Sequence, residues 1–191
     1  FRSVDVSLLG TAAWCMQMSR VGSAVFAAML GDAAAPPAPE EPASMPPIGP
    51  VMNPLVHTYK TSDSRWVALR MLQADRYWDG LARAVGREDL LTDERFSDPA
   101  TRWTERSTDL AEELQRTFLQ QPLAHWRAAL GSQPGQWDVV QLVSELRDDP
   151  QLRANGHVQD VDYGNGRSLP LFTSPVHFGR EAPRLTPAPD F

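Results

Sequence analysis

Adjacent acidic residues are the first feature of this sequence that could carry acid or base chemistry. Such pairs include Glu40–Glu41, Glu112–Glu113 and Asp148–Asp149. A carboxyl group that transfers protons at neutral pH needs burial or a neighbouring charge that shifts its pKa. Nothing in the flanking sequence signals burial, so the pattern predicts solvent-facing or helix-capping carboxylates and not a catalytic pair.

The histidines and the single cysteine are the remaining candidate ligands and nucleophiles. The four histidines are isolated from one another in the sequence, at His57, His125, His157 and His177. Without cysteine pairs or a metal-ligand spacing, the sequence predicts no metal site and gives the histidines structural roles. Cys15 cannot form an internal disulfide and lies in an apolar run, which is typical of a small core residue in a reducing compartment. There is no GxGxxG, P-loop or GxSxG motif, so pattern alone predicts no catalytic residue.

Length and charge narrow the classes of function further. The 191 residues are enough for one good core, and the net charge of -6 with scattered basic residues argues against nucleic acid as a partner. Asp5, Gln17 and Arg20 interrupt the apolar N-terminal segment, which argues against a membrane span. A signal peptide is not predicted either, so we expect a cytoplasmic protein. The chain opens in mid-pattern and without an initiating methionine, which suggests a fragment.

Two unusual segments precede the elements that would position any site. Residues 4–30 contain no proline and are rich in Ala, Leu and Met, which predicts a long buried helix that ends near Gly31. Residues 33–54 hold eight of the 17 prolines, which predicts an extended, semi-rigid connector.

The middle of the chain predicts an α+β fold. Apolar runs on both sides of "SDS" at 62–64 predict an antiparallel hairpin. Helices follow from about residue 73 to Gly86, from Ser97 or Asp98 to about residue 121, and from Leu123 to Gly131. After a short strand in "QWDVVQLV", we expect Pro150 to divide two helical turns and "GNG" to turn a second hairpin.

Five strings in this order resemble the family III CoA-transferases, the group that contains formyl-CoA transferase, carnitine CoA-transferase and α-methylacyl-CoA racemase. The strings are "VDVSLLGTA", "NPLVHTYKTSDSRWVAL", "YWDGLARAVGREDLLTDERFSD", "QWDVVQLVSELRDDPQLRANG" and "LPLFTSPVHF". The resemblance extends from Val4 to Pro189 and depends on the order and spacing of all five strings.

The resemblance implies a large Rossmann-like domain with a small α+β domain inserted into it, and two chains interlocked as a homodimer. Only the later part has a counterpart here: a terminal large-domain helix at 1–32, a proline-rich linker at 33–53, the small domain at 54–165 and a return segment at 166–191. The family's catalytic aspartate and most of its CoA-binding surface precede this part, so no catalytic residue is assigned and the chain alone is expected to be inactive. The implied substrates are an acyl-CoA and a carboxylic acid, with no permanently bound cofactor.

The racemases of this family imply a set of substrate-contacting positions around the first hairpin. The positions near the acyl part of the substrate are Ile48, Gly49, Met52, Asn53, Val56 and Leu72. Gln73 takes the place of a racemase glutamate and keeps hydrogen bonding without basicity, which weighs against a racemase. Packing within the linker or hairpin is the open alternative for the six acyl positions. A non-catalytic subunit of a split enzyme and a racemase or isomerase of the same family stay open beside the transferase.

Overall fold

The computed structural model describes residues 3–17, 49–164, 166, 168–179 and 183–187. They belong to two compact units. The helical unit is Glu40–Val140, and the two-sheet unit combines Phe1–Pro39 with Gln141–Phe191. Helices occur together with small antiparallel sheets, which confirms the predicted α+β class.

A three-stranded antiparallel sheet organises the helical unit. Its strands are β2 (Thr58–Lys60), β3 (Trp66–Leu69) and β4 (Trp137–Val139), in the order β2-β3-β4. The predicted first hairpin is therefore confirmed. Its backbone pairing extends beyond the strands, because Met71 N donates to Leu55 O at 2.9 Å. The hairpin thus brings residue 55, near the end of the connector, beside residue 71.

The helices of this unit bury the apolar stripes that the sequence predicts. They are α2 (Ala74–Ala84), α3 (Asp89–Thr92), α4 (Pro99–Arg102), α5 (Ser107–Phe118) and α6 (Leu123–Leu130). Their stripes meet the inward side chains of the sheet in one core, whose largest fully buried members include Tyr59, Leu69, Met71, Trp78, Leu81, Phe96, Leu114, Phe118 and Leu130.

The prediction of one continuous helix after Ser97 or Asp98 is wrong, because residues 103–106 separate α4 from α5. The predicted cap is present, since Asp98 Oδ1 accepts from Ala100 N at 3.0 Å. At the break the backbone pairing departs from the helical pattern, because Arg106 N donates to Thr101 O at 2.9 Å, five residues earlier. Hydroxyl side chains bind backbone carbonyls at the same place. Thr104 Oγ1 donates to Ala100 O, and Ser107 Oγ donates to Thr104 O at 2.9 Å.

The two-sheet unit contains two separate strand pairs. Its elements are β1 (Val4–Val6), α1 (Leu8–Cys15), a 3-10 turn (Leu146–Asp148), α7 (Pro150–Ala154), β5 (Val158–Asp162), β6 (Ser168–Phe172) and β7 (Val176–Phe178). Strands β5 and β6 pair antiparallel, which confirms the second hairpin, and β1 pairs antiparallel with β7. As predicted, Pro150 separates two short helical segments.

The predicted N-terminal helix starts later than expected. Val4–Val6 form a strand because their partners lie at the other end of the chain, in β7, where no local pattern reveals them. The helix begins after Ser7, whose Oγ accepts from Gly10 N at 3.0 Å. Cys15 is exposed, so its prediction as a core residue is wrong. The rest of the predicted helix from residue 18, and the linker up to residue 48, lie outside the described residues.

Residues 141–165 were assigned to the small domain by sequence, but group with the two-sheet unit in this structure. Leu146, Leu152 and Val158 join Ala13 and Phe172 in the core of that unit. Apolar contact therefore ties this segment to both ends of the chain. The domain boundaries of the complete protein stay a prediction.

Candidate functional site

Five of the sequence-predicted positions line one depression on the helical unit, which we call the Met52 depression. It has a volume of about 470 Å³. The five are Gly49, Met52, Asn53, Val56 and Leu72, and the depression is completed by Pro50, Val51 and His57. Ile48 lies outside the described residues.

Gln73 lines a neighbouring space of about 510 Å³, which we call the Gln73 depression. The two depressions share three wall residues, Met52, Asn53 and Leu72. Gln73 itself is exposed at the start of α2, where its Oε1 accepts from Arg76 Nη1 at 3.3 Å. The other lining residues of this space are Ala74, Asp75, Arg76 and Trp103.

Hydrogen bonds between backbone and side-chain atoms hold the described end of the connector in place beside the hairpin. Val51 N donates to Thr108 Oγ1 on α5 at 3.2 Å. Asn53 Oδ1 accepts from Leu55 N at 2.9 Å, and its Nδ2 donates to Met71 O at 3.5 Å. Asn53 therefore joins the hairpin entry to its exit.

The pleat of the hairpin explains why Leu72 borders both depressions. Successive side chains of an extended chain point to opposite faces. Leu69 and Met71 are 0% exposed and face the core, whereas Leu72 is 82% exposed. Met52 is 89% exposed beside it. Two large apolar side chains thus stand in solvent at the shared wall, where an apolar ligand would remove them from water.

His57 is the lining residue with acid-base potential that sequence reasoning missed in the Met52 depression. Its ring meets Tyr59 edge on, with centroids 5.2 Å apart. Its backbone carbonyl accepts from Leu69 N at 2.9 Å and from Arg70 Nη1 at 3.3 Å. Burial, and secondarily the positive charge of Arg70, lower the pKa of His57 below its usual value of 6.5. The neutral form of the ring therefore predominates at pH 7. The available signal in the sequence was the position of His57, only four residues after Asn53.

The lowered pKa of His57 gives a direct prediction. Replacing Arg70 with Gln should raise that pKa, because it removes the nearby positive charge, but burial should keep it below 6.5. NMR titration of the ring protons measures the change. Arg127→Gln on α6 is the matched control and should leave the pKa of His57 unaltered. An unchanged pKa in Arg70→Gln would contradict the proposed electrostatic influence.

A larger depression of about 720 Å³ lies within the two-sheet unit. His157 and His177 line it with ring centroids 5.0 Å apart, and burial, followed by His177, lowers the pKa of His157. Within the described residues, no group of three or more His, Cys, Asp or Glu side chains is arranged to hold a metal ion. None of the helices described is long and apolar enough to cross a membrane.

The sequence model of CoA-transferase family III matches residues 2–191. The chain belongs to this family. Two CoA-transferases illustrate the likeness. The (R)-2-hydroxy-4-methylpentanoate CoA-transferase of Clostridioides difficile is 29% identical over 138 residues, which cover 72% of this chain and 34% of that protein. The cinnamoyl-CoA:phenyllactate CoA-transferase of Clostridium sporogenes is 25% identical over 126 residues, which cover 66% of this chain and 31% of that protein.

Solved structures support the fold of this family III chain. A crystal structure of Rv3272 from Mycobacterium tuberculosis has a TM-score of 0.54 at 19% identity, covering 68% of this chain and 35% of that one. A CaiB/BaiF family protein from Brucella suis has a TM-score of 0.50 at 19% identity, covering 84% and 42%. The chain spans about a third of the length of the curated relatives it matches.

Proposed function

We propose that this chain is the C-terminal part of a family III CoA-transferase that moves CoA between an acyl-CoA and a carboxylic acid. The observation that carries the proposal is the family match over residues 2–191, in a chain that covers only about a third of its curated relatives. The complete protein is proposed to be a cytoplasmic homodimer. The 191-residue chain alone is proposed to be inactive, because the family's aspartate nucleophile belongs to the preceding part.

Covalent catalysis by a carboxylate suits this reaction, because it divides one acyl transfer into easier steps. The contribution of the residues in this chain is binding and positioning. Met52, Val56 and Leu72 offer apolar contact to an acyl group, and Asn53 keeps the segment that carries Met52 against the hairpin exit. Gln73 offers an amide to a polar part of the substrate in the neighbouring depression.

The class of acyl group is proposed from the apolar wall and from the relatives. Their names specify (R)-2-hydroxy-4-methylpentanoate in one case, and cinnamoyl-CoA with phenyllactate in the other. A branched or aromatic acyl group would bury the exposed Met52 and Leu72 side chains. We therefore propose an acid with an apolar body as the substrate, with no permanently bound cofactor.

Activity of the complete protein and of the 191-residue chain tests this proposal. Each is incubated with branched and aromatic acyl-CoA donors and carboxylate acceptors, and CoA transfer is followed by mass spectrometry. The complete protein should transfer CoA and the isolated chain should not. Turnover by the isolated chain would refute its inactivity, whereas a complete protein inactive with the whole panel would refute the transferase.

A split enzyme is the alternative organisation. An uninterrupted reading frame upstream of Phe1 that encodes a Rossmann-like half supports a single chain, and a start codon near Phe1 supports a separate subunit. Gln73 in place of a glutamate weighs against a racemase. Proton exchange at Cα of a 2-methylacyl-CoA, catalysed by the complete protein, would support a racemase.

A further inference from the structure

The Met52 depression combines an apolar wall with very few polar side chains. Pro50, Val51, Met52, Val56 and Leu72 supply the apolar surface. Its polar side chains are those of Asn53 and His57. A depression of this composition suits a ligand with an apolar body and a single hydrogen-bonding substituent.

Asn53 is already engaged by the fold. Both ends of its amide bind backbone, with Oδ1 accepting from Leu55 N and Nδ2 donating to Met71 O. A ligand that drew Asn53 away would loosen the junction between the connector and the hairpin. Asn53 is therefore poorly suited to hydrogen-bonding with a substituent on the ligand.

His57 is held differently, by its backbone and by the face of the hairpin. Its carbonyl accepts from Leu69 N and Arg70 Nη1, and its ring is braced edge on against Tyr59. Tyr59 is 0% exposed and cannot move aside without opening the core. These contacts position the ring and occupy the backbone oxygen of His57. No hydrogen bond among the described residues uses its imidazole nitrogens, so they stay available to a ligand in the depression that His57 lines.

We propose that His57 determines substrate specificity by hydrogen-bonding, through its imidazole, to a hydroxyl group on an acyl chain whose apolar body contacts Met52, Val56 and Leu72. This inference rests on the proposed function and adds to it the residue that recognises the substituent. A neutral imidazole has one N–H donor and one acceptor nitrogen, and a hydroxyl can satisfy either. The lowered pKa favours that neutral form at pH 7.

Two CoA esters that differ only in the hydroxyl test this role. The probes are (R)-2-hydroxy-4-methylpentanoyl-CoA and 4-methylpentanoyl-CoA, and calorimetry gives the Kd of each for the complete protein. Wild type should bind the hydroxy ester about two- to tenfold more tightly, which is the range for one hydrogen bond. His57→Phe keeps a ring against Tyr59 but cannot hydrogen-bond, so the ratio of the two Kd values should fall to about one.

Two further variants separate recognition from folding. His57→Asn retains a donor and an acceptor and should restore part of the discrimination. His125→Phe changes an exposed histidine on α6 and should keep the wild-type ratio. Circular dichroism identifies any variant that fails to fold. If His57→Phe fails to fold, the ratio of the two Kd values measured with His57→Asn tests the role of His57: a ratio below that of wild type supports the role, and the wild-type ratio contradicts it.

The outcomes distinguish this inference from the proposed function. If wild type transfers CoA but His57→Phe keeps the wild-type ratio, the role of His57 is overturned and the transferase stands. Discrimination that depends on His57 without any CoA transfer would support the binding role and overturn the transferase. If wild type binds neither ester, or binds both equally, the proposed role of His57 is overturned.

Discussion

Replacing Tyr59 with Ala is expected to lower the free energy of unfolding by about 3 to 5 kcal/mol, the usual range for deleting a buried aromatic side chain. Tyr59 is 0% exposed in the middle of β2. Its ring is stacked on Phe118 of α5, with centroids 5.0 Å apart and an interplanar angle of 13°. The substitution would open a cavity where the sheet meets the longest helix of this unit, and well-packed surroundings close such cavities only in part.

Tyr59→Phe separates the ring from the hydroxyl. The Tyr59 hydroxyl donates to Pro54 O at 2.6 Å, in a buried position directly after Asn53. Without that donor the carbonyl loses its partner, which costs about 1 to 3 kcal/mol when the group stays buried. The same change should weaken binding at the Met52 depression, because Pro54 anchors the segment that forms its wall.

Urea unfolding followed by circular dichroism measures both Tyr59 variants. Tyr163→Ala is the matched control, since Tyr163 is 47% exposed, and its free energy of unfolding should stay within about 0.5 kcal/mol of wild type. A loss below about 1 kcal/mol for Tyr59→Ala would contradict the packing of Tyr59 between sheet and helix.

Local pattern predicts the elements around Tyr59 well, because their determinants lie within a few residues. Alternating apolar residues on both sides of "SDS" predict the hairpin, and Asp98 and Gly131 mark helix ends as expected. The antiparallel pairing of Val4–Val6 with Val176–Phe178 could not be predicted this way, because the two strands lie about as far apart as the sequence allows. The break between α4 and α5 coincides with hydroxyl contacts, which a helical stripe of apolar residues does not reveal.

At the candidate site too, the sequence predicts some of the residues, and only the structure shows others. The family resemblance names positions before and after the hairpin, and antiparallel pairing brings Asn53 and Leu72 together. His57 was taken as a structural residue, because a lone histidine in a strand-like run has no motif around it. Only the structure shows that His57 lines the same depression as Met52 and that backbone groups occupy the amide of Asn53. These two observations are the reason we expect His57 to recognise the substrate and not only to contribute to the hairpin.

Replacing Arg102 with Met is expected to lower the free energy of unfolding by about 2 to 4 kcal/mol, through lost hydrogen bonds and lost cation–π contacts. Arg102 is only 6% exposed. Its Nε donates to Phe96 O, and Nη2 donates to Ser97 O at 3.1 Å. Its guanidinium carbon lies 5.3 Å from the Trp78 ring centroid and 5.2 Å from that of Trp103.

The ion pair of Arg102 is not the main cause of this effect. Arg102 Nη1 lies 3.7 Å from Asp75 Oδ1, and the Asp75 side chain is 64% exposed, so solvent screens the attraction. The buried carbonyl of Phe96 would lose a donor that methionine cannot replace. Arg102→Lys keeps a charge but lacks the planar, multiple-donor geometry, so it should recover only part of the loss.

Arg102 also connects stability to the Gln73 depression, because Trp103 lines that space and meets Trp78 at a right angle, with centroids 6.0 Å apart. The guanidinium packs beside both rings, and Trp103 Nε1 also donates to Asp75 Oδ1. Loss of the guanidinium removes one of the contacts of Trp103 and should increase its exposure, which fluorescence quenching would detect in native conditions. Arg116→Met is the control, since the Arg116 side chain is 59% exposed and pairs only with acidic neighbours on α5 in the part of the chain described. If Arg102→Met unfolds like this control, the guanidinium does not hold the two tryptophans, and the remaining contacts of Trp103 with α2, the Trp78 ring and Asp75 Oδ1, fix this wall of the Gln73 depression.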